Sequence, residues 1–195
     1  MGWRTEQKQE NPMTFLKDAN GNPFYLGKVV FGGKTYNATG LGISNFERDE
    51  YLVGAKLSGT LAGFKTNTNL SRYIIPKWDS RSAGDYAKGI ANGAGQLTKT
   101  DNPGWWALDT GGVREFGIHK VAIGFNGNMY STDQTTYNTT NWRTSAGQTF
   151  SAASGGKTSN YGIYVEDEMA IGESTLLTLG ARYDKWKAYD GYISK

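Results

Sequence analysis

Residues Tyr161 to Trp186, YGIYVEDEMAIGESTLLTLGARYDKW, constrain the fold more tightly than any other stretch. In the first run Tyr161, Ile163 and Val165 share one parity, and Gly162, Tyr164, Glu166 and Glu168 the other, an alternation of period two. After a polar turn at Gly172 to Ser174, Leu177, Leu179, Ala181 and Tyr183 alternate with Thr178, Gly180, Arg182 and Asp184. The two runs predict a β-hairpin with one apolar and one polar face. The apolar face needs a cover other than water, yet a mean hydropathy of −0.57 leaves little material for a thick core.

The same pattern recurs upstream. In HKVAIGFNGNMY, Val121, Ile123 and Phe125 oppose Lys120, Ala122, Gly124, Asn126 and Asn128. In EYLVGAKLSGTLAG, Tyr51, Val53, Ala55, Leu57 and Leu61 oppose Gly54, Lys56, Ser58 and Thr60, before a tight turn near Ala62 and Gly63. The return run from Lys65 to Ile75 alternates poorly, and GGKTYNATGLGI and GWWALDTGG are further strand candidates. The total is about seven strands with no long helical periodicity between them, an antiparallel up-and-down meander.

Connections of two lengths alternate along this meander. Short turns are expected at Ala62–Gly63, Gly111–Glu115 and Gly172–Ser174. Polar loops of about 25 residues are expected at 77–103 and 131–158, a length uncommon in a compact soluble domain. Short turns at one rim and long loops at the other are the pattern of an outer-membrane barrel.

Composition narrows the function classes. Of 195 residues 27 are Gly, and six Trp, twelve Tyr and eight Phe supply the aromatics. The chain has no Cys, which excludes disulfides, thiolate metal sites and thiol nucleophiles. Net charge is +3, from 21 basic and 18 acidic residues with no basic stripe, so nucleic acid is not an expected partner. No apolar run is long enough for a transmembrane helix, but transmembrane strands need only about 9 to 11 residues each and average out in hydropathy. The opening MGWRTEQKQENP lacks the basic head and apolar stretch of a secretory signal. If the mature protein is exported, this sequence is expected to lack its N-terminus.

Alternation alone does not separate a soluble sandwich, whose two apolar faces meet each other, from a wide barrel whose apolar face meets lipid. Tyr51, Tyr161 and Tyr183 stand at the ends of their apolar stripes, where interfacial girdles lie, and favour the barrel. The competing reading is a soluble, secreted all-β binding module, for example for carbohydrate, with exposed Trp and Tyr stacking on sugar rings.

The last hairpin resembles a hairpin of TonB-dependent outer-membrane receptors: an aromatic-led strand with an acidic pair, a short turn, then LTLG.RYD. Glu166, Asp167, Leu177, Thr178, Leu179, Gly180, Arg182, Tyr183 and Asp184 carry the match. EFGIHKVAIGFNGNMY, with His119, Gly124 and Phe125, and GAKLSGTLAGFKTNTNLSRY are similar to other barrel segments of these receptors. The likeness runs from about residue 36 to 186, leaving 1–35 as a poorly defined lead-in and 36–195 as partial barrel. It implies part of a 22-stranded transmembrane β-barrel with a plugged lumen in the bacterial outer membrane. It also implies energy-coupled uptake of a scarce, bulky nutrient such as a ferric siderophore, without catalysis or cofactor. The energy would come from the TonB system through a plug for which this segment has no recognisable counterpart. The ending GYISK, in place of a terminal aromatic, reads as an internal fragment of the barrel.

Ligand contacts are sought among aromatics near the long loops: Trp105, Trp106 and Trp142. Trp105 and Trp106 are adjacent on a strand, so at most one faces the lumen; the other belongs to a girdle. Trp142 falls inside the second long loop, where an exposed ring needs a partner. Glu166 and Glu168 share a side near the short-turn rim and are read as structural, in a charge ladder with Arg182 and Asp184. His119, the single histidine, rules out multi-His metal sites and has no nucleophile elbow beside it, so it too is read as structural. ANGAGQL lacks the strand and helix that a phosphate-cradling loop needs and is read as loop.

Overall fold

A computed structural model describes residues 2–10, 20–21, 28–37, 43–84, 88–89 and 91–195. The strands are β1 Gly2–Gln9, β2 Lys28–Phe31, β3 Lys34–Asn37, β4 Ser44–Leu61, β5 Phe64–Ser82, β6 Gly95–Thr100, β7 Gly104–Phe116, β8 His119–Thr139, β9 Thr149–Ile171 and β10 Thr175–Ser194. Strands β2 and β3 pair as a separate small hairpin, and the other eight form one antiparallel sheet. Within that sheet β6 and β7 lie end to end in a single lane. β5 meets β7 over Lys65–Ile74 and β6 over Trp78–Ser82, while β8 meets β7 from His119 to Ser131 and β6 from Gln134 to Thr139. The sheet therefore has seven lanes in an antiparallel meander, as expected from the sequence, but its first lane is β1, from within the 1–35 lead-in, while Lys34–Asn37 belongs to the separate hairpin.

The lane breaks at Asp101 to Pro103 for a local reason. Asn102 takes a positive φ of 42°, and Pro103 has no N–H to give the ladder. The backbone groups at the break are still satisfied: Ile75 N donates to the Pro103 carbonyl at 3.0 Å, and Asp101 N to the Asp133 carbonyl at 2.7 Å.

Turn chemistry sets the register. Ala62 and Gly63, with φ of 50° and 82°, supply the two left-handed residues of a two-residue hairpin turn, and the Arg114 guanidinium donates to the Ala62 carbonyl at 3.0 Å. The β9–β10 turn falls at Gly172 to Ser174, as the sequence indicates. The middle turn does not fall at Gly111–Glu115. Phe116 pairs with His119 around Gly117 and Ile118, and Gly111 and Gly112 are interior strand residues opposite Gly124 and Ile123. A glycine pair looks like a turn in one dimension. Here Gly111 is small for another reason, because the Tyr164 ring lies over neighbouring Gly124 and its hydroxyl reaches Gly111.

The long loops are shorter than the intervals 77–103 and 131–158. β5 continues to Ser82, β6 begins at Gly95 within the ANGAGQL run, β8 continues to Thr139 and β9 begins at Thr149. These extensions alternate between polar residues, as at Ser80, Ser82, Thr98, Thr100, Gln134 and Thr136, so no apolar stripe announces them as strand. With 18 to 23 residues, β4, β8, β9 and β10 are about twice as long as a bilayer crossing requires. Of the candidate strand over 32–43, Lys34–Asn37 is strand and residues 38–42 lie outside the described residues.

Register sorts the side chains onto two faces. On the first, Val53, Leu57, Leu70, Phe125, Ile163 and Val165 form a continuous apolar surface. A sandwich would bury it under a second sheet; here Leu57, Ile163 and Leu179 are exposed. The aromatic margin of this surface slants. Tyr51 on β4, Trp106 on β7, Tyr161 on β9 and Tyr183 on β10 each lie one same-face row nearer the short-turn rim than the one before. Tilted barrel strands produce this stagger when the margin follows a flat interface.

Candidate functional site

The second face carries the polar parity, and an aromatic row crosses it towards the long-loop end. Register places Trp3, Leu52, Tyr73, Trp105 and Tyr130 side by side on five successive lanes. The Tyr73 and Trp105 rings stack with centroids 4.2 Å apart, and Trp3 tilts against Tyr73 at 6.3 Å. Trp105 keeps 40% of its surface exposed, so one side of the stack stays open.

A charged brace holds the row in place. The Tyr73 hydroxyl donates to Glu50, a carboxylate only 5% exposed, and Arg48 closes an ion pair with Glu50. Arg48 also donates to Gln7 Oε1 at 3.0 Å and lies 5.3 Å over the Trp78 ring. A buried carboxylate without a cation would be strongly destabilising, so Arg48 fixes Glu50, Glu50 fixes Tyr73, and Tyr73 fixes the Trp105 plane. Farther towards the loops a concavity of about 750 Å³ opens, lined by Trp78, Thr100, Tyr130, Gln134 and Thr158 among others.

Nearer the short-turn rim the same face is tiled with charge. Arg182 chelates Asp184 through Nε and Nη2 at 2.8 and 2.7 Å and donates to Asn126 at 2.9 Å. Lys120 meets Glu168 at 3.1 Å. The ladder of Arg182 and Asp184 with Glu166 and Glu168 is thus replaced by an intrastrand pair and a separate bridge to β8. Gly162 makes room for Arg182 and Asp184, as Gly124 does for Tyr164. Gly124→Ala should therefore cost about 1 to 3 kcal/mol by overpacking against that ring. Chemical unfolding in detergent reads the loss, and Tyr164→Ala in the same chain should restore most of it.

The three tryptophans singled out in the sequence separate in space. Trp105 faces the polar side. Trp106 faces the apolar side, 44% exposed, with Arg72 held 5.2 Å over its ring. Trp142 is not an exposed loop aromatic: it is 0% exposed and packs with Ile43 and Ala83. Its Nε1 donates to the Gly89 carbonyl at 3.0 Å and its backbone N to the Gly93 carbonyl at 3.0 Å. The partner that ring needed is the neighbouring loop. His119 Nδ1 lies 2.7 Å from Asp167 Oδ2, on the apolar face near the short-turn rim. Among the described residues no group of three or more His, Asp or Glu could hold a metal ion.

The β-barrel family model of TonB dependent receptor-like proteins matches residues 2–194. The chain belongs to the TonB-dependent receptor family. No curated protein and no solved structure matches it. Membership makes the protein a bacterial outer-membrane receptor of a transport family that works with the TonB system. It also gives each face of the receptor its side. The apolar surface meets lipid, the polar face lines the lumen, the short turns are periplasmic and the long loops extracellular. Trp105 is thus a lumen residue near the mouth and Trp106 a girdle residue. Above the girdle, outside the bilayer, the hydrogen-bonded Lys77 ammonium at 2.7 Å holds the Glu47 carboxyl below its usual range. Trp3, Tyr73 and Tyr130 went unnoticed in the sequence. Tyr130 becomes visible only once the β7–β8 turn is placed at Gly117, which sets it opposite Trp105.

Proposed function

We propose that this receptor takes up a scarce, bulky nutrient, a ferric siderophore, by energy-coupled transport without catalysis. The ligand meets the aromatic row of Trp3, Tyr73, Trp105 and Tyr130 as it enters the lumen. The stacked row is the observation that supports this reading. Aromatic rings set on a polar wall do nothing to anchor the barrel in lipid, and the Glu50 and Arg48 brace fixes the Tyr73 ring, on which Trp105 stacks with one side left open. Such a surface stacks on flat, delocalised ligand groups. In this reading the open edges of β1 and β10 pair with further strands to close a 22-stranded barrel. A plug inside it answers to the TonB system.

The test is tryptophan fluorescence of the purified receptor titrated with ferric and iron-free siderophores. A ferric complex should quench saturably. Trp105→Ala should weaken its binding by roughly threefold to tenfold, the worth of one aromatic stack, and Trp106→Ala on the outer wall should leave it unchanged. Absence of saturable quenching by any ferric siderophore, with unaltered iron uptake in cells deleted for the receptor, would discard the siderophore.

A further inference from the structure

The lipid-facing wall carries a groove of about 530 Å³ that neither the girdle nor transport explains. Leu70, Trp106, Leu108, Phe125, Met129 and Tyr161 line it. Gly127 forms part of its floor, where a Cβ would come within 3.1 Å of the Phe125 ring. A flat transmembrane wall needs no such furrow to contact fluid lipid.

The charges around the groove say what fills it. Lys185 and Lys187 point to the lipid side of β10, next to Tyr161 and Ser159 across the ladder, and Arg72 stands beyond Trp106 on the far lip. Cations elsewhere on the upper part of this face hold carboxylates: Arg4 with Glu6 at 3.9 Å, Lys77 with Glu47 at 2.7 Å and Lys157 with Asp190 at 2.8 Å. Among the described residues, the two rows that contain Arg72, Lys185 and Lys187 have no Asp or Glu on this face. Arg72 and Lys187 rest instead on ring faces, each 5.2 Å from the centroid of Trp106 or Tyr189.

Height completes the picture. On β10 the apolar band ends at Tyr183, so Lys185 and Lys187 are the next two outward residues above it, at the level of lipid headgroups. They stand about 6.8 Å apart along the strand, close enough for both ammonium groups to grip one phosphate.

We propose that this groove is a binding site for an anionic, phosphate-bearing lipid of the extracellular leaflet, its phosphate held by Lys185 and Lys187 and an acyl chain lying over Phe125 and Leu108 against Trp106. Arg72 closes the far lip and adds to the local positive field. The site belongs to the outer wall and does not depend on which nutrient crosses the lumen.

The receptor in neutral detergent is titrated with phosphatidylglycerol carrying brominated acyl chains, and separately with phosphatidylcholine carrying the same chains. Bromine quenches an indole it touches. Half-quenching should come at a roughly tenfold lower mole fraction of phosphatidylglycerol, as two or three cations near an anionic headgroup would give. High salt should collapse that preference in the unmodified receptor, and Lys185→Gln with Lys187→Gln should remove it. Trp106→Phe should abolish most of the quenching, and Trp105→Phe should spare it. Equal half-points for the two lipids, a preference that survives both the double substitution and high salt, or quenching that persists without Trp106 would each overturn the proposal.

Discussion

Val165→Arg should lower the folding stability of the receptor in a bilayer by roughly 2 to 4 kcal/mol, the cost of arginine on a barrel's lipid face near the midplane. Val165 lies on that face between Ile123 of β8 and Ala181 of β10, with the Tyr161 girdle four residues outward and Met169 four residues inward. Neither cross-strand neighbour can accept a hydrogen bond from a guanidinium side chain. Leu179 reads from the sequence as an equivalent site, but its cross-strand partner is Asp167, which would give an introduced arginine a carboxylate. Asp167 also stands two residues from Val165 on the same face, so both losses should fall within that range, with Leu179→Arg, directly across from the carboxylate, the smaller. Urea titration of folding into vesicles, followed by the heat-modifiable mobility of the barrel, measures both. Equal, negligible losses at the two positions would contradict the assignment of this face to lipid.

Trp142→Ala should unfasten the extracellular loops while leaving the barrel intact. Trp142 fills the small core that it forms with Ile43 and Ala83 and tethers residues 141–146 to the backbone at Gly89 and Gly93. Gly95 fits only because it lacks a Cβ, which would come within 2.6 Å of Trp142 Cβ. Truncating a fully buried tryptophan costs about 3 to 5 kcal/mol, equivalent to at least a hundredfold in local opening. Hydrogen exchange in 91–94 and 140–148 should accelerate by that factor, and exchange in β8 and β9 near Val121 and Val165 should not change. Wild-type protection in both loops would mean that some other contact holds them.

Much of the fold was legible because one sheet face rests against lipid and the other against a polar lumen. Wherever both conditions apply, as from Tyr51 to Leu61, Val121 to Phe125 and Tyr161 to Tyr183, the period-two pattern marks the strand and its face. The pattern fades in the extracellular extensions of β5, β6, β8 and β9, where water or a polar wall lies on both sides. A strand there looks like a loop.

Sequence by itself determined the class of fold, the family, and that Trp105 and Trp106 face opposite ways, because strand geometry fixes the direction of adjacent side chains whatever surrounds them. Tertiary structure decided which of the two lines the lumen, that Trp142 is the interior of a loop cluster, and that Trp3, Tyr73 and Tyr130 stand in line with Trp105. Those facts depend on register between strands far apart in the chain. Register is set by where the turns close, and the Gly111–Gly112 pair that mimics a turn is in truth a pair of close approaches, Gly111 to the Tyr164 hydroxyl on one face and Gly112 to Phe64 and Thr66 on the other.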